Sequence, residues 1–197
     1  MKAARFIGLL GVVLATSVLA ATAHGTSAPN AARCGGNLWR LKTLSDPASK
    51  LVRLTPKTTT IGAIRDRIAP QSVPAKRTTG FQKQTWEVVA QVVAFRREAG
   101  GFRLVLFDNG AYLNAAIPAP SCLPRSARDR KSLVAAWTTF GAACGRASGD
   151  WQSLGAIAYV RGVGFWSERR ANARGAAANG AELHPVTSFR PVAGCGS

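Results

Sequence analysis

The stretch "QTWEVVAQVVAFRREAGGFRLVLFDNGAYLNAAI", residues 84–117, decides the fold. Residues 84–98 contain no proline or glycine and are rich in β-branched and aromatic side chains, which suits a strand. Trp86, Val88, Ala90, Val92 and Ala94 fall on one face, and Glu87, Val89, Gln91, Val93 and Phe95 on the other. Both faces are partly apolar, the pattern of a long strand that bends across a small barrel. "AGG" (99–101) makes a turn and residues 102–108 a second strand. "DNG" (108–110) is a hairpin signal, because Asn and Gly accept positive φ. Residues 111–117 form a third strand, ended by "PAPSC".

Towards the C-terminus, residues 125–143 read as a helix. Ser126 caps it, Asp129 lies in its first turn, and Leu133, Val134, Trp137 and Phe140 make its apolar stripe. Residues 154–166 form a fourth strand, 167–180 a polar loop and 181–189 the last strand. Three meandering strands, a helix and two more strands is the order of an OB-type Greek-key barrel. The expected fold is therefore mainly β: an OB-like five-stranded barrel over residues 81–190, one helix between strands three and four, and a tail at 191–197.

Towards the N-terminus, "QSVPAKRTTG" (71–80) reads as a linker. Residues 58–70 hold a short helix, with Thr60 as its cap, Ile61, Ile64 and Ile68 on one face, and Pro70 at its end. Residues 24–56 show little periodicity and read as an extended arm, so 24–80 is an N-terminal arm and linker with one short helix. Residues 1–23 have the form of a signal peptide. Lys2 and Arg5 precede an apolar run from Phe6 to Leu19, and "ATA" (21–23) offers a cleavage site that leaves His24 first. The alternative is a retained anchor, since the run is only slightly too short to span a bilayer. Cleavage implies a secreted or periplasmic protein with no transmembrane segment.

Charge narrows the partners. Losing Lys2 and Arg5 lowers the basic count from 26 to 24 against nine acids, a net charge of +15. Such a surface attracts polyanions: nucleic acid, anionic polysaccharide or lipid headgroups. A coding bias towards Arg, Ala and Gly explains the preference for Arg over Lys, and explains the scarcity of acids less well. Cys34, Cys122, Cys144 and Cys195 make an even set, which in an exported chain points to two disulfides. Three pairings are open. Cys122 and Cys144 flank the expected helix, and Cys34 and Cys195 lie near the two ends, so the favoured pairs are Cys122–Cys144 and Cys34–Cys195.

The C-terminal motifs carry a resemblance. "VRGVGFWS", then Gly175, Asn179 and Gly180, then "ELHPV" (182–186) is similar to the end of a family of uncharacterised exported bacterial OB-like proteins. Gly162, Val163, Gly164 and Phe165 match its G-V-G-F segment, Glu182 to Val186 its E-L-H-P-V segment, and "FRLVLFD" a similar strand. The resemblance covers roughly residues 57–189 and implies no established activity. The family's D-G-D turn is "AGG" here and its H-G-Q segment is "ERRANAR", so chemistry borne by those residues is not expected of this chain.

Glu182 and His184 share a strand face and could form a general base with its orienting group, or two metal ligands. A catalytic metal needs a third ligand, and the chain offers no other core histidine and few acids. The simpler reading is structural: Glu182 pairs with an arginine, His184 bonds a loop, and Pro185 ends the ladder. Asp108 and Asp129 have ordinary places in a turn and a helix start. No G-x-S-x-G, P-loop or complete dinucleotide fingerprint is present, and no spacing suits a metal, so neither cofactor nor metal is expected.

Binding remains. OB-type barrels hold extended polymers across the second and third strands and adjoining loops. The corresponding positions are Phe102, Arg103, Phe107, Tyr112 and Asn114, with Arg96 and Arg97 ending the first strand. Arg161, Trp166, Arg169, Arg170 and Arg174 lie on or near the loop between strands four and five. Aromatics interleaved with arginines suit single-stranded nucleic acid, although Phe102, Phe107 and Trp166 also suit a barrel core. The expected role is non-enzymatic binding of an anionic polymer. The alternatives are a metal-assisted phosphodiesterase using Glu182, His184 and an arginine, and a structural envelope protein with no polymer ligand.

Overall fold

The computed structural model describes residues 34, 36–145, 148–170 and 172–195. The signal segment 1–23, the start of the arm and the last two residues of the tail lie outside the described residues.

The sheet is built on strand β2 (Gln84–Glu98). Trp86, Val88, Ala90, Val92 and Ala94 are all buried, as their alternation requires. The register shifts between Val92 and Ala94 against both neighbouring strands, and this bulge turns Phe95 into the core as well. β3 (Gly101–Asp108) and β4 (Ala111–Pro118) follow as a hairpin, closed at Asn109 and Gly110 with φ of 46° and 75°. β5 (Gln152–Trp166) and β6 (Ala181–Ala193) pair with each other. β5 also pairs antiparallel with β2, and β6 pairs parallel with β4. The strands β2, β3, β4, β6 and β5 thus form a partly closed ring with Leu104, Leu106, Leu113, Ile117, Val160 and Leu183 inside it.

Among the described residues the sheet has six strands rather than five. Strand β1 (Arg53–Thr58) pairs parallel with the start of β2, in a segment expected to be an unstructured arm. It is polar, carries Pro56 and is mostly exposed, which is how edge strands look and why no alternation marked it. Before it come a one-turn helix α1 (Trp39–Lys42) and a 3₁₀ turn (Pro47–Leu51). The short helix α2 (Ile61–Arg65) is where the sequence placed it, with Thr60 Oγ1 accepting from the Ala63 amide at 3.1 Å, but it ends well before Pro70.

Helix α3 (Arg130–Cys144) lies between the third and fourth strands of the ring. It starts later than expected: Asp129 is its left-handed N-cap rather than a first-turn acid, and Ser126 does not cap it. Its fully buried Phe140 meets Phe95, Phe102 and Phe189 with ring centroids 4.9–5.3 Å apart, so the helix plugs one end of the barrel.

The expected linker 71–80 is partly core. Arg77 is buried, donates from Nε to both Asp46 oxygens at 3.1 and 3.2 Å, and reaches the carbonyls of Gln82 and Leu41 at 3.0 and 2.6 Å. It clips the N-terminal segment to the barrel. The disulfides are Cys34–Cys122 and Cys144–Cys195, not the favoured pairs. A 15-residue helix is roughly 22 Å long and separates Cys144 at its end from Cys122 before its start, whereas bonded cysteines need Cα atoms within about 7 Å. β6 runs four residues beyond its expected end and carries Cys195 to Cys144. The N-terminal segment folds back over the barrel and brings Cys34 to Cys122.

Candidate functional site: a cationic cleft on the barrel face

Leu104, Leu106, Leu113, Ala115 and Leu183 point into the barrel, so the alternate residues Arg103, Asn114, Glu182 and His184 lie on its outer face. Segment α1 lies over this face. The Trp39 ring is 6.4 Å from the His184 imidazole, edge-on, and Trp39 Nε1 donates to the Cys122 carbonyl at 2.9 Å. A side chain at Gly100 would have its Cβ 2.9 Å from that indole, so the β2–β3 turn must be glycine there for α1 to seat. Residues 167–170 and 172–180 close the other side. Gly175 (φ 69°) brings its backbone so close that a Cβ would lie 2.4 Å from Val105 and 3.0 Å from Asn114 Oδ1. Between α1, this loop and the strands is a cleft of about 820 Å³.

Charge in the cleft is arranged in pairs. Arg96 and Arg103 stand directly opposite in β2 and β3, where two like charges repel. Glu98, on the same face, resolves this. Its Oε1 accepts from Arg96 Nη2 at 2.7 Å, and both its oxygens accept from Arg103 Nε at 3.1 Å. Arg103 Nη1 also reaches Glu182 Oε1 at 3.2 Å. Burial works against charge on both carboxyls, yet the arginines, with His184 beside Glu182, outweigh it: Glu98 is held below its ordinary range and Glu182 at about 2. His184 Nδ1 lies 3.9 Å from Glu182 Oε2 and has no hydrogen-bond partner among the described residues. Burial, reinforced by Lys42 and Arg103, pushes the His184 imidazole down to about 4, so it is neutral at neutral pH. It does not bond a loop, and β6 continues through Pro185.

Among the described residues five cations line the cleft (Lys42, Arg96, Arg103, Arg170 and Arg174) against three carboxylates. Glu98 and Glu182 are taken by Arg96 and Arg103, and Glu168 by Arg170 at 3.0 Å. Lys42 and Arg174 join no ion pair among the described residues, so the surplus positive charge is theirs. Burial lowers the Lys42 ammonium below its ordinary value, more than the nearby Glu182 charge raises it. Trp151 stands at the rim with the guanidinium groups of Arg96 and Arg174 4.6 and 5.6 Å from its ring centroid.

The cleft gathers four of the nine expected binding residues: Arg96, Arg103, Arg170 and Arg174. The other five lie elsewhere. Arg97 follows Arg96 and so points to the opposite face, over Trp137 at 4.8 Å. Arg161 pairs with Glu87 on the outside of the sheet. Arg169 donates to the Pro70 carbonyl at 2.9 Å. Tyr112 is half-exposed on another face, beside Phe107. Trp166 is buried against Phe81 and donates to Thr79 Oγ1 at 3.0 Å, so it is core and cannot stack on a ligand. Lys42, Glu98 and Trp151 were not among the expected binding residues. Glu182 and His184 do meet an arginine, but among the described residues no three His, Cys, Asp or Glu side chains converge as a metal site would need.

Fold and site together define a disulfide-stapled, mainly β, barrel-like protein with a cationic cleft beneath its N-terminal segment. No family model matches the chain, and no curated protein matches it. Among solved structures it is similar to a crystal structure assigned as an aspartyl-tRNA synthetase from Leishmania major Friedlin, with 14% identity and a TM-score of 0.40 over 72% of this chain and 21% of that one. The chain therefore spans about a fifth of that protein's length, and a likeness at this level carries no argument about function. Two disulfides, and the absence among the described residues of any helix long and apolar enough to cross a membrane, are compatible with an extracellular or periplasmic protein.

Proposed function

We propose that this is an exported OB-type binding protein that holds an anionic polymer in the cleft, without catalysis. The ring order β2-β3-β4-β6-β5, with parallel β4 and β6 and a helix before β5, supports the OB reading. The resemblance of "GVGF" and "ELHPV" to uncharacterised exported proteins agrees with it. The observation that carries the binding reading is the pair of unmatched cations, Lys42 and Arg174, in a cleft whose acids are already engaged. Single-stranded nucleic acid is the polymer favoured. Arg174 rests against Trp151 and joins no ion pair among the described residues, so its in-plane N–H groups are free for phosphate, and Asn114 lines the same cleft with an acceptor that no described residue satisfies.

The phosphodiesterase reading has one observation in its favour, the meeting of Glu182, His184 and Arg103. Against it, Glu182 is committed to Arg103 and His184 is buried. The test titrates the oxidised protein into labelled single-stranded DNA, an anionic polysaccharide and anionic lipid vesicles, each at several salt concentrations, with magnesium or calcium in one arm. The proposal expects saturable DNA binding that weakens with salt and with Arg174→Ala, and no cleavage. Preference for polysaccharide or vesicles would move the ligand class, metal-dependent cleavage would favour the phosphodiesterase, and no binding would leave a structural role.

A further inference from the structure

The face that an OB-type barrel would offer to a running polymer is partly covered in this chain. Segment α1 crosses it, fixed by Cys34–Cys122, by the Trp39 hydrogen bond to Cys122 and by its close seat on Gly100. Against α1 a second cavity of about 210 Å³, bordered by Trp39 and Lys42, adjoins the cleft. Lys42, Glu98 and Arg103 line both spaces, so they form the threshold between them. This second space is below the roughly 300 Å³ at which small-molecule pockets begin, a size that suits one compact group.

Two residues that line these spaces carry a buried polar atom with no hydrogen-bond partner among the described residues. Asn114 is 3% exposed and lines the cleft, and its Oδ1 accepts no hydrogen bond among the described residues. His184 is 5% exposed and lines the second cavity, and its Nδ1, 3.9 Å from Glu182 Oε2, likewise has no hydrogen-bond partner among the described residues. Buried polar groups are normally satisfied, so two exceptions at one site point to a group that completes them. The threshold also carries the half-buried ammonium of Lys42, which joins no ion pair among the described residues. A terminal phosphate monoester bears −1.5 to −2 charges at neutral pH, where an internal diester bears one. It also presents three acceptor oxygens in a compact group.

We propose that the cleft takes the end of a single-stranded nucleic acid rather than a run of it, with a terminal phosphate monoester at the Lys42 and Arg103 threshold reaching towards His184, and the last nucleoside donating to Asn114 Oδ1. This rests on the reading of the protein as a nucleic-acid binder. The end is recognised because α1 stops the chain there, and the phosphate because the threshold holds an unmatched positive charge.

The experiment compares four short oligonucleotides of one sequence as competitors for a labelled strand: linear with a 5′-phosphate, linear with a 3′-phosphate, linear with hydroxyl ends, and circular. The oxidised full chain is used. At least one phosphorylated form is expected to compete about tenfold better than the circle and the hydroxyl-ended form, the gain from one added charge-assisted contact. Lys42→Met is expected to erase that advantage and leave the weaker, salt-sensitive binding of the circle. A circle that competes as well as the phosphorylated strands, or terminal phosphates that make no difference, would overturn end recognition and leave polymer binding standing. Competition by none of the four would overturn both. The wild-type comparison needs no variant, so a poorly folding Lys42→Met does not leave the question open.

Discussion

Arg103 Nη1 and Glu182 Oε1 meet at 3.2 Å, tying β3 to β6 across β4 on the outer face of the barrel. The pair is largely buried, and the same arginine holds Glu98. Removing one partner of a buried pair leaves the other uncompensated, at about 3–5 kcal/mol. Glu182→Gln is therefore expected to lower the urea midpoint at pH 7 by a margin well beyond that of Glu168→Gln, whose exposed ion pair with Arg170 is worth at most about 1 kcal/mol. Equal, small effects would mean that Glu182 is not the anchor described.

Acid stability follows from the same residues. The His184 imidazole falls from 6.5 to about 4 on folding, so the unfolded chain takes the proton first and stability declines as pH drops from 6.5 to 4. The Glu182 carboxyl falls from 4.5 to about 2, so its contribution is complete above pH 4.5 and is lost as pH falls towards 2. Thermal midpoints measured from pH 7 to 2 are expected to fall in two stages, and His184→Gln to flatten the first. A flat profile from pH 7 to 4 in the wild type would contradict a buried neutral His184.

The two disulfides are expected to differ in consequence. They close separations of 88 and 51 residues, and losing either costs about 4–5 kcal/mol on the chain-entropy account. Only Cys34–Cys122 fixes the segment that walls the cleft. The double serine variant of that pair is expected to lose ligand affinity as well as stability, and the Cys144/Cys195 double variant stability alone. Peptide mapping under non-reducing conditions checks the pairing directly, and a Cys34–Cys195 peptide would refute it.

Tryptophan substitutions separate site from core. Trp166→Ala removes a buried side chain and is expected to cost about 3–5 kcal/mol. Trp151→Ala is expected to leave the midpoint nearly unchanged and weaken binding severalfold, because Arg96 and Arg174 lose the ring they rest against. Binding isotherms beside melting curves read both. The reverse pattern would place the site elsewhere.

The ring was legible where local pattern and tertiary role agree. The alternation of Trp86 to Ala94 marks β2, and the Asn109–Gly110 turn fixes the next hairpin. β1 was not legible, because a polar edge strand with Pro56 needs no alternation and exists only through its partner. The site was half legible. Arg96, Arg103 and Asn114 follow from strand order, and Arg170 and Arg174 from loop position. Lys42 reaches the cleft only through long-range ties, the Cys34–Cys122 bond and the Arg77–Asp46 clip, and these leave no local trace. Trp166 misled because an aromatic next to an arginine-rich loop reads alike whether it faces a ligand or Phe81.

The most direct test of the central claim is the salt dependence of single-stranded DNA binding in two double variants of equal charge loss. One is Lys42→Met with Arg174→Met, in the cleft. The other is Arg125→Gln with Lys131→Gln, at exposed positions outside it. The cleft variant is expected to lose most of its affinity and to show a slope of log K against log salt shallower by about 1.4, roughly 0.7 per lost phosphate contact. The outer variant is expected to keep the wild-type slope. Equal losses in both would contradict the claim and leave only a uniformly basic surface.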